Sequence, residues 1–180
     1  MEKTKADIDN IVNEGIMRGI SVAFDNGCYG SAVVLIYAGI DAMAFLNMPE
    51  GQMDVGRADF VDWIETYMTF RSKHAITGLE LYGARCGMVH KYGVQSKLSR
   101  EGKVRLVGYV DSSQDEIMID ETGHSSLVLV SIRGLARAFS EAVQCFFDES
   151  WQDEGKREII TRRLRELVQC NDLPEELRHV

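Results

Sequence analysis

Residues 32–46 have the sequence AVVLIYAGIDAMAFL, and this stretch decides the fold. It has no polar face, and Asp41 is its only charge. A helix that is apolar on all sides lies buried at the centre of a helical protein. The stretch therefore predicts a central helix from about Tyr29 to Leu46. Because a buried carboxylate is costly without a partner, Asp41 also requires a cation nearby, and Arg85 is the first candidate.

Helical patterns continue on both sides of this central helix. A first helix is predicted to begin near Thr4, and its apolar residues recur every three or four positions as far as Phe24. Pro49 and Gly51 end the central helix. Further helices are predicted over about 58–70, 132–148 and 151–170.

A fourth helix has the clearest start signal in the chain. Thr77 and Glu80 have the pattern of a capping box, in which each side chain satisfies a backbone amide of the first turn. Gly93 is a suitable residue to end this helix. The helix carries Arg85 and His90.

The pattern changes between residues 103 and 131, where apolar residues alternate along the chain. The alternation and the turns expected at residues 111–115 and 121–123 predict three short strands. The sequence thus predicts a single domain over residues 1–180 that is mainly α. Its architecture is an up-and-down helical bundle with a small antiparallel β meander inserted near residues 103–131.

Composition and charge exclude several classes of protein. The chain has 180 residues, and its net charge of −8 excludes a surface that is basic throughout but permits a local basic patch. Four cysteines without a Cys-x-x-Cys pair favour a reducing compartment. The apolar run Ala32–Ile40 is short for the roughly 20 residues of a membrane span. We therefore expect a cytoplasmic protein that does not associate with membranes.

The common enzyme signatures are missing from the sequence. It contains no phosphate-binding glycine loop, no dinucleotide-binding glycine motif and no nucleophile elbow. No two of its four histidines are three or four residues apart, so a helical two-histidine metal site is not expected. The sequence predicts neither a metal site nor a cofactor.

One constellation remains, RCGMVHKY at residues 85–92. Its spacing resembles the Arg-x4–6-His motif of HEPN domains, and the added Tyr92 gives the Arg-x4-His-x-Tyr form of HepT-like toxins. The segments LIYAGIDA (35–42) and LYGARC (81–86) are similar to the buried helix and the motif helix of that superfamily. The resemblance implies a homodimer with a composite Arg/His cleft. Such a protein binds RNA or cleaves it as a metal-independent endoribonuclease.

The residue types suit this chemistry. Arg85 would hold a phosphate, because a guanidinium is always charged and binds phosphate oxygens in pairs. His90 would transfer a proton, because an imidazole titrates near neutral pH. Five residues along a helix separate two positions by about 140° and ~7.5 Å, so one helix alone makes a poor site. Two facing helices related by a two-fold axis are expected to complete it.

A basic stretch begins at the motif and continues beyond it. Glu101 is the one acidic residue among six cations, which are Arg85, Lys91, Lys97, Arg100, Lys103 and Arg105. Clustered cations give affinity for phosphates. Substrate binding is therefore assigned to Lys91, Tyr92, Lys97 and Arg100, with a solvated basic loop as the alternative.

Other interpretations stay open. Cys86 stands where active HEPN ribonucleases often have a polar residue, which favours a catalytically inactive interaction or scaffold module. Such a module belongs to a toxin–antitoxin or defence system, with a cognate antitoxin or a neighbouring protein as its partner. Arg85 can be structural through Asp41, His90 a surface or interface histidine, and Tyr92 a packing residue. The apolar central helix also fits a bundle that binds a small ligand.

Overall fold

The apolar stretch forms a single helix, α2 (Tyr29–Asn47), in the computed structural model, which describes residues 6–120 and 127–168. A π-helix (Asp9–Met17) that continues as α1 (Arg18–Asp25) precedes it. The later elements are α3 (Arg57–Tyr67), α4 (Gly78–Lys91), α5 (Lys97–Arg100), β1 (Leu106–Val110), β2 (Ile117–Asp120), β3 (Leu127–Ser131), α6 (Ile132–Ser150) and α7 (Glu154–Leu164). A mainly helical chain with a small three-stranded sheet is thus confirmed for the described residues.

Helix α2 lies at the centre of the packing. The helices α1, α3, α4, α6 and α7 all pack against it. Its side chains Val33, Ile36, Tyr37, Ile40 and Met43 are at most 1% exposed. Burying an aliphatic side chain of this size contributes about 1.5–3 kcal/mol, so the core is organised around this one helix.

The C-terminal end of α2 is held by a buried arginine. Arg163 of α7 is 3% exposed and donates hydrogen bonds to the carbonyl oxygens of Met48, Pro49 and Gln52. Burial lowers the pKa of this guanidinium. Carbonyl oxygens carry partial negative charge, so several of them together can satisfy a buried cation without a carboxylate. Arg163 therefore fixes α7 to the turn that follows α2.

The first helix differs from its predicted form. Residues Asp9–Met17 form a π-helix, whose hydrogen bonds join residues five apart and whose turns are wider than those of an α-helix. Ile11 and Val12 are buried, and Ile16 packs against the core. The predicted apolar stripe is present, but the predicted α-helical geometry is wrong over this segment. The expected start at Thr4 lies outside the described residues.

The remaining predicted helices have counterparts with shifted bounds. The helix expected over 151–170 begins at Glu154, because Asp153 caps it by accepting a hydrogen bond from the amide of Lys156 at 2.9 Å. Its α-helical part ends at Leu164, and residues 169–170 lie outside the described chain. The turn expected at residues 121–123 also lies outside it. The short helix α5 was not predicted.

The sheet is mixed, so the predicted antiparallel meander is wrong. Within the described residues the strand order is β1-β3-β2, with β3 parallel to β1 and antiparallel to β2. The linker 111–116 does not form a tight hairpin, because Asp111 pairs with Arg133 and Glu116 with Arg137, each at 2.6 Å, on α6. The most apolar strand, β3, occupies the centre. Alternation predicted which faces are apolar but not which strands are neighbours.

Among the described residues, α2 is the one helix long and apolar enough to cross a membrane by length and composition. It has 19 residues, and half of its apolar window is buried inside the protein. The expectation based on the shorter run Ala32–Ile40 is therefore wrong about length, because the helix continues through Asp41. Such a helix is also what the core of a soluble protein contains. The absence of membrane association and the cytoplasmic location stay predictions.

A pair of helical glycines tests the packing of α2. A Cβ atom at Gly39 would lie 2.5 Å from Cζ of the buried Phe139 and 2.9 Å from Ile16, so we expect Gly39→Ala to lower the free energy of unfolding by about 1–3 kcal/mol. The matched control is Gly19→Ala on α1, where the Cβ would lie 3.6 Å from Leu35. That change should raise stability by about 0.5–1 kcal/mol through helix propensity. Urea denaturation measures both, and equal effects would contradict the close packing at Gly39.

Candidate functional site

Helix α4 begins where its sequence predicted. The hydroxyl of Thr77 accepts a hydrogen bond from the amide of Glu80 at 3.2 Å, and the Glu80 carboxylate accepts one from the amide of Thr77 at 2.8 Å. The capping box is thus confirmed. It fixes the start of the helix that carries Arg85 and His90.

The Glu80 carboxylate also forms an ion pair with Arg105, the last residue of the basic stretch. Arg105 donates to both of its oxygens, at 2.5 and 3.0 Å. Burial raises the pKa of Glu80, but the hydrogen bonds from Arg105 and Thr77 outweigh this effect, and the pKa lies below its ordinary value. Arg105 therefore serves as the counter-ion of a buried carboxylate rather than as a free phosphate ligand.

The C-terminal end of α4 differs from the expected stop at Gly93. Tyr92 itself adopts the left-handed conformation, with φ 51° and ψ 39°. The amides of Tyr92 and Gly93 donate hydrogen bonds to the carbonyl oxygens of Met88 and Gly87, at 2.9 and 3.1 Å respectively. The chain then folds back against α4, and a Cβ at Gly87 would lie only 2.5 Å from the carbonyl oxygen of Gly93. Gly87 thus allows this return.

Asp41 of α2 and Arg85 of α4 form an ion pair. Nε and Nη2 of Arg85 donate to the same carboxylate oxygen of Asp41, at 2.9 and 2.6 Å. Burial raises the pKa of Asp41, and the hydrogen bonds and charge of Arg85 oppose that rise without cancelling it. Burial disfavours the charged guanidinium, but Asp41 outweighs it and raises the pKa of Arg85. The pair joins the central helix to the motif helix.

Arg85 also reaches His90. Its Nη1 lies 3.3 Å from Nε2 of His90, which is an exposed residue in the last turn of α4. The helical angle between their backbone positions predicted that one helix would hold the two groups apart. The long side chain of Arg85 spans this gap, so the two groups meet although their backbone positions lie on different faces of the helix. That one helix alone makes a poor site stays a prediction. One guanidinium therefore contacts a carboxylate and an imidazole, in the order Asp41, Arg85, His90.

Carboxylates neutralise much of the basic stretch. Glu101 pairs with Lys103 at 2.8 Å and lies 3.7 Å from Lys97. Arg85 pairs with Asp41, and Arg105 pairs with Glu80. Three carboxylates therefore offset part of the charge of the six cations in the stretch. Lys91 and Arg100 are exposed and form no ion pair with any described residue. They are the cations of this surface that remain available to a phosphate.

The predicted substrate-binding residues thus have different surroundings. Lys91 and Arg100 are exposed, and Lys97 is exposed but close to Glu101. Tyr92 is 65% exposed, with its hydroxyl end over Gly30 at the start of α2. Cys86 is half-buried beside Arg85.

Sequence reasoning predicted the pair between Asp41 and Arg85 but missed the other ion pairs of the basic stretch. The spacing of four residues between Lys97 and Glu101 was a usable signal for one of them. No sequence signal joins Glu80 to Arg105, because they are 25 residues apart and belong to different elements. Within residues 6–120 and 127–168, no group of three or more His, Cys, Asp or Glu side chains could hold a metal ion.

A groove on another face of the molecule was also missed. It has a volume of about 1210 Å³ and lies between the π-helix, α6 and α7. Its apolar lining is formed by Ile8, Val12, Val143, Phe147 and Trp151. None of the predicted site residues lines it, so the groove is separate from the Arg85–His90 site. Binding of a small ligand there stays a prediction.

The Asp41–Arg85 pair can be tested by removing its carboxylate. We expect Asp41→Ala to lower the free energy of unfolding by about 1–3 kcal/mol, because Arg85 loses its partner in a half-buried place. The exposed pair Glu14–Arg18 provides the control, since Glu14→Ala should change stability little. Chemical denaturation of the two variants measures the difference. A loss at position 14 as large as at position 41 would contradict a special role for this pair.

The lowered pKa of Glu80 makes a prediction about pH. Since its folded pKa lies below the ordinary value of 4.5, the carboxylate stabilises the fold above that pH, and the contribution is lost as the pH falls through the folded pKa. Glu80→Gln should therefore cost about 1.5–3 kcal/mol at neutral pH and progressively less in acid. Denaturation curves of both proteins across this pH range provide the measurement. A difference independent of pH would mean that charge is unimportant at Glu80.

Comparison with known proteins adds no relative. The chain matches no protein-family model, no curated protein and no solved structure. The resemblance of residues 85–92 to the HEPN motif therefore depends on those residues and on their arrangement beside the buried helix.

Proposed function

We propose that this chain is a HEPN-like domain that binds RNA and cleaves it without a metal ion, at a site formed by Arg85 and His90. The observation that carries the proposal is the distance of 3.3 Å between Nη1 of Arg85 and Nε2 of the exposed His90. A fixed cation next to an imidazole is a combination that suits phosphate transfer, because the guanidinium binds phosphate oxygens and the imidazole transfers protons. Asp41 orients the guanidinium by binding its other edge.

The cleavage chemistry follows from these groups. The 2′-oxygen of a ribose attacks the adjacent phosphorus, a P–O2′ bond forms and the P–O5′ bond breaks. The products are a 2′,3′-cyclic phosphate and a 5′-hydroxyl. One group takes the proton of the 2′-hydroxyl, and another donates a proton to the leaving 5′-oxygen. Nη1 of Arg85 stabilises the negative charge on the non-bridging oxygens.

Two copies of the chain complete this site in the proposal. Among the described residues, His90 is the one imidazole in contact with Arg85, whereas the reaction uses both a base and an acid. A second copy, related by a two-fold axis, supplies the second imidazole. Val89 and Val94, which are 39% and 46% exposed close to His90 in the chain, are apolar residues that such a contact would cover. Lys91 and Arg100 provide charge for the RNA backbone.

RNA cleavage in the presence of EDTA tests this proposal. We expect the wild-type protein to produce 2′,3′-cyclic phosphate ends, and His90→Ala to reduce the rate by about 100-fold or more, because it removes a proton carrier. The matched control is His74→Ala, which removes a histidine outside the site and should leave the rate unchanged. Arg85→Lys should also be slow, because it keeps the charge near Asp41 but loses the reach of Nη1. Cleavage that persists in His90→Ala would indicate a contaminant or another site.

A catalytically inactive HEPN-like interaction module is the second candidate. It is favoured by the engagement of two guanidinium nitrogens of Arg85 with Asp41, which leaves only Nη1, the nitrogen beside His90, outside the ion pair. A bidentate phosphate contact would have to displace this carboxylate. The partner of such a module is a cognate antitoxin or a neighbouring protein of a toxin–antitoxin or defence system. If this candidate is correct, the folded wild-type protein neither binds nor cleaves RNA in the same assay.

A further inference from the structure

We propose that Tyr92 is a platform on which an unpaired RNA base stacks next to the Arg85–His90 site. This inference rests on the proposed function and names its substrate class as single-stranded RNA. It starts from the backbone of Tyr92, the surroundings of its ring and the position of the residue in the chain.

The backbone of Tyr92 is in an unfavourable conformation. Among the described residues, it is the one residue other than glycine with a positive φ, at 51°. The left-handed region brings Cβ close to the carbonyl oxygen, so glycine or asparagine normally occupies such a helix end. Gly93 is the next residue and could adopt this conformation at no cost. Strain of this kind is concentrated at functional sites, where it positions a side chain.

The tip of the Tyr92 ring lies at Gly30, and most of the residue is open to solvent. A Cβ atom at Gly30 would lie 2.0 Å from the Tyr92 hydroxyl oxygen and 2.7 Å from Cζ, so the tip occupies the space that the glycine leaves. Yet 65% of the residue is exposed. A tyrosine that only filled the core would be buried. The structure therefore combines a strained backbone and a tip packed at Gly30 with an aromatic side chain that is mostly exposed.

The position of the ring suits an unpaired base. Tyr92 follows His90 by two residues, at the turn where the chain reverses, and Lys91 and Arg100 are the free cations of this surface. Aromatic rings stack on bases of any type, and the bases of a single strand are free to leave their own stack. The bases of a duplex are covered on both faces. Stacking on Tyr92 would thus select single-stranded RNA and place the adjoining phosphate near His90.

Binding of uncleavable RNA tests this inference separately from cleavage. The probe is a short single-stranded oligoribonucleotide with 2′-O-methyl groups, and the comparison is its blunt duplex. We expect Tyr92→Gly to weaken binding of the single strand by about 10-fold, the range of one base stacked on an aromatic ring, and to change duplex binding little. Tyr92→Phe should bind like wild type, because the ring remains. With cleavable RNA, Tyr92→Gly should raise KM, because the lost stacking weakens binding of the substrate.

Thermal unfolding separates stacking from a structural role. Tyr92→Gly removes the backbone strain, so its Tm should equal or exceed that of the wild type, and Tyr92→Asn should behave similarly because asparagine tolerates this conformation. Weak RNA binding by proteins of unchanged or higher Tm supports the inference. Binding as tight as wild type in Tyr92→Gly overturns it, as does an equal loss of binding in Tyr92→Phe.

The failure of this inference can be distinguished from the failure of the proposed function. If His90→Ala abolishes cleavage while Tyr92→Gly binds normally, only this inference fails. If His90→Ala cleaves normally, the proposed function fails.

Discussion

The ion pair between Asp41 and Arg85 is the interaction on which the arrangement of the site depends. Asp41 is the single charge of a helix that is otherwise apolar and surrounded by the other helices. Its carboxylate binds Arg85 at 2.6 Å and thereby fixes the motif helix against the central helix. Breaking a pair in such surroundings is costly, because either partner alone would remain a poorly solvated charge. The same guanidinium then reaches His90, so core and surface are connected through one side chain.

The remaining charges follow the same logic. Cations that the sequence concentrates after the motif are used within the fold: Arg105 compensates Glu80, and Lys103 pairs with Glu101. The local positive charge of this surface is therefore smaller than its sequence indicates. Lys91, the last residue of α4, and Arg100, the last residue of α5, remain unpaired among the described residues. A nucleic acid at this place would meet a small number of cations and one aromatic ring rather than a broad basic groove.

The sequence predicted the helical core, the start of α4 and a partner for Asp41, because each depends on local pattern or on one strong physical requirement. The contact between Arg85 and His90 could not be predicted from the helical angle, since it depends on the rotamers of a long side chain. The strand order could not be predicted either. Alternation determines which face of a strand is apolar, whereas Asp111 and Glu116 form ion pairs on α6 that no periodicity reveals. The left-handed Tyr92 beside Gly93 was missed because glycine is the usual residue there.

The central place of β3 has a consequence for synthesis of the protein on the ribosome. Both β1 and β2 find their hydrogen-bonding partner in the strand that is translated last. Until residue 131 has left the exit tunnel, the backbone groups of the first two strands must be satisfied by water or by a chaperone. The helices that carry Asp41 and Arg85 are translated earlier and can associate during this interval. The sheet can therefore be completed only after these helices have been translated.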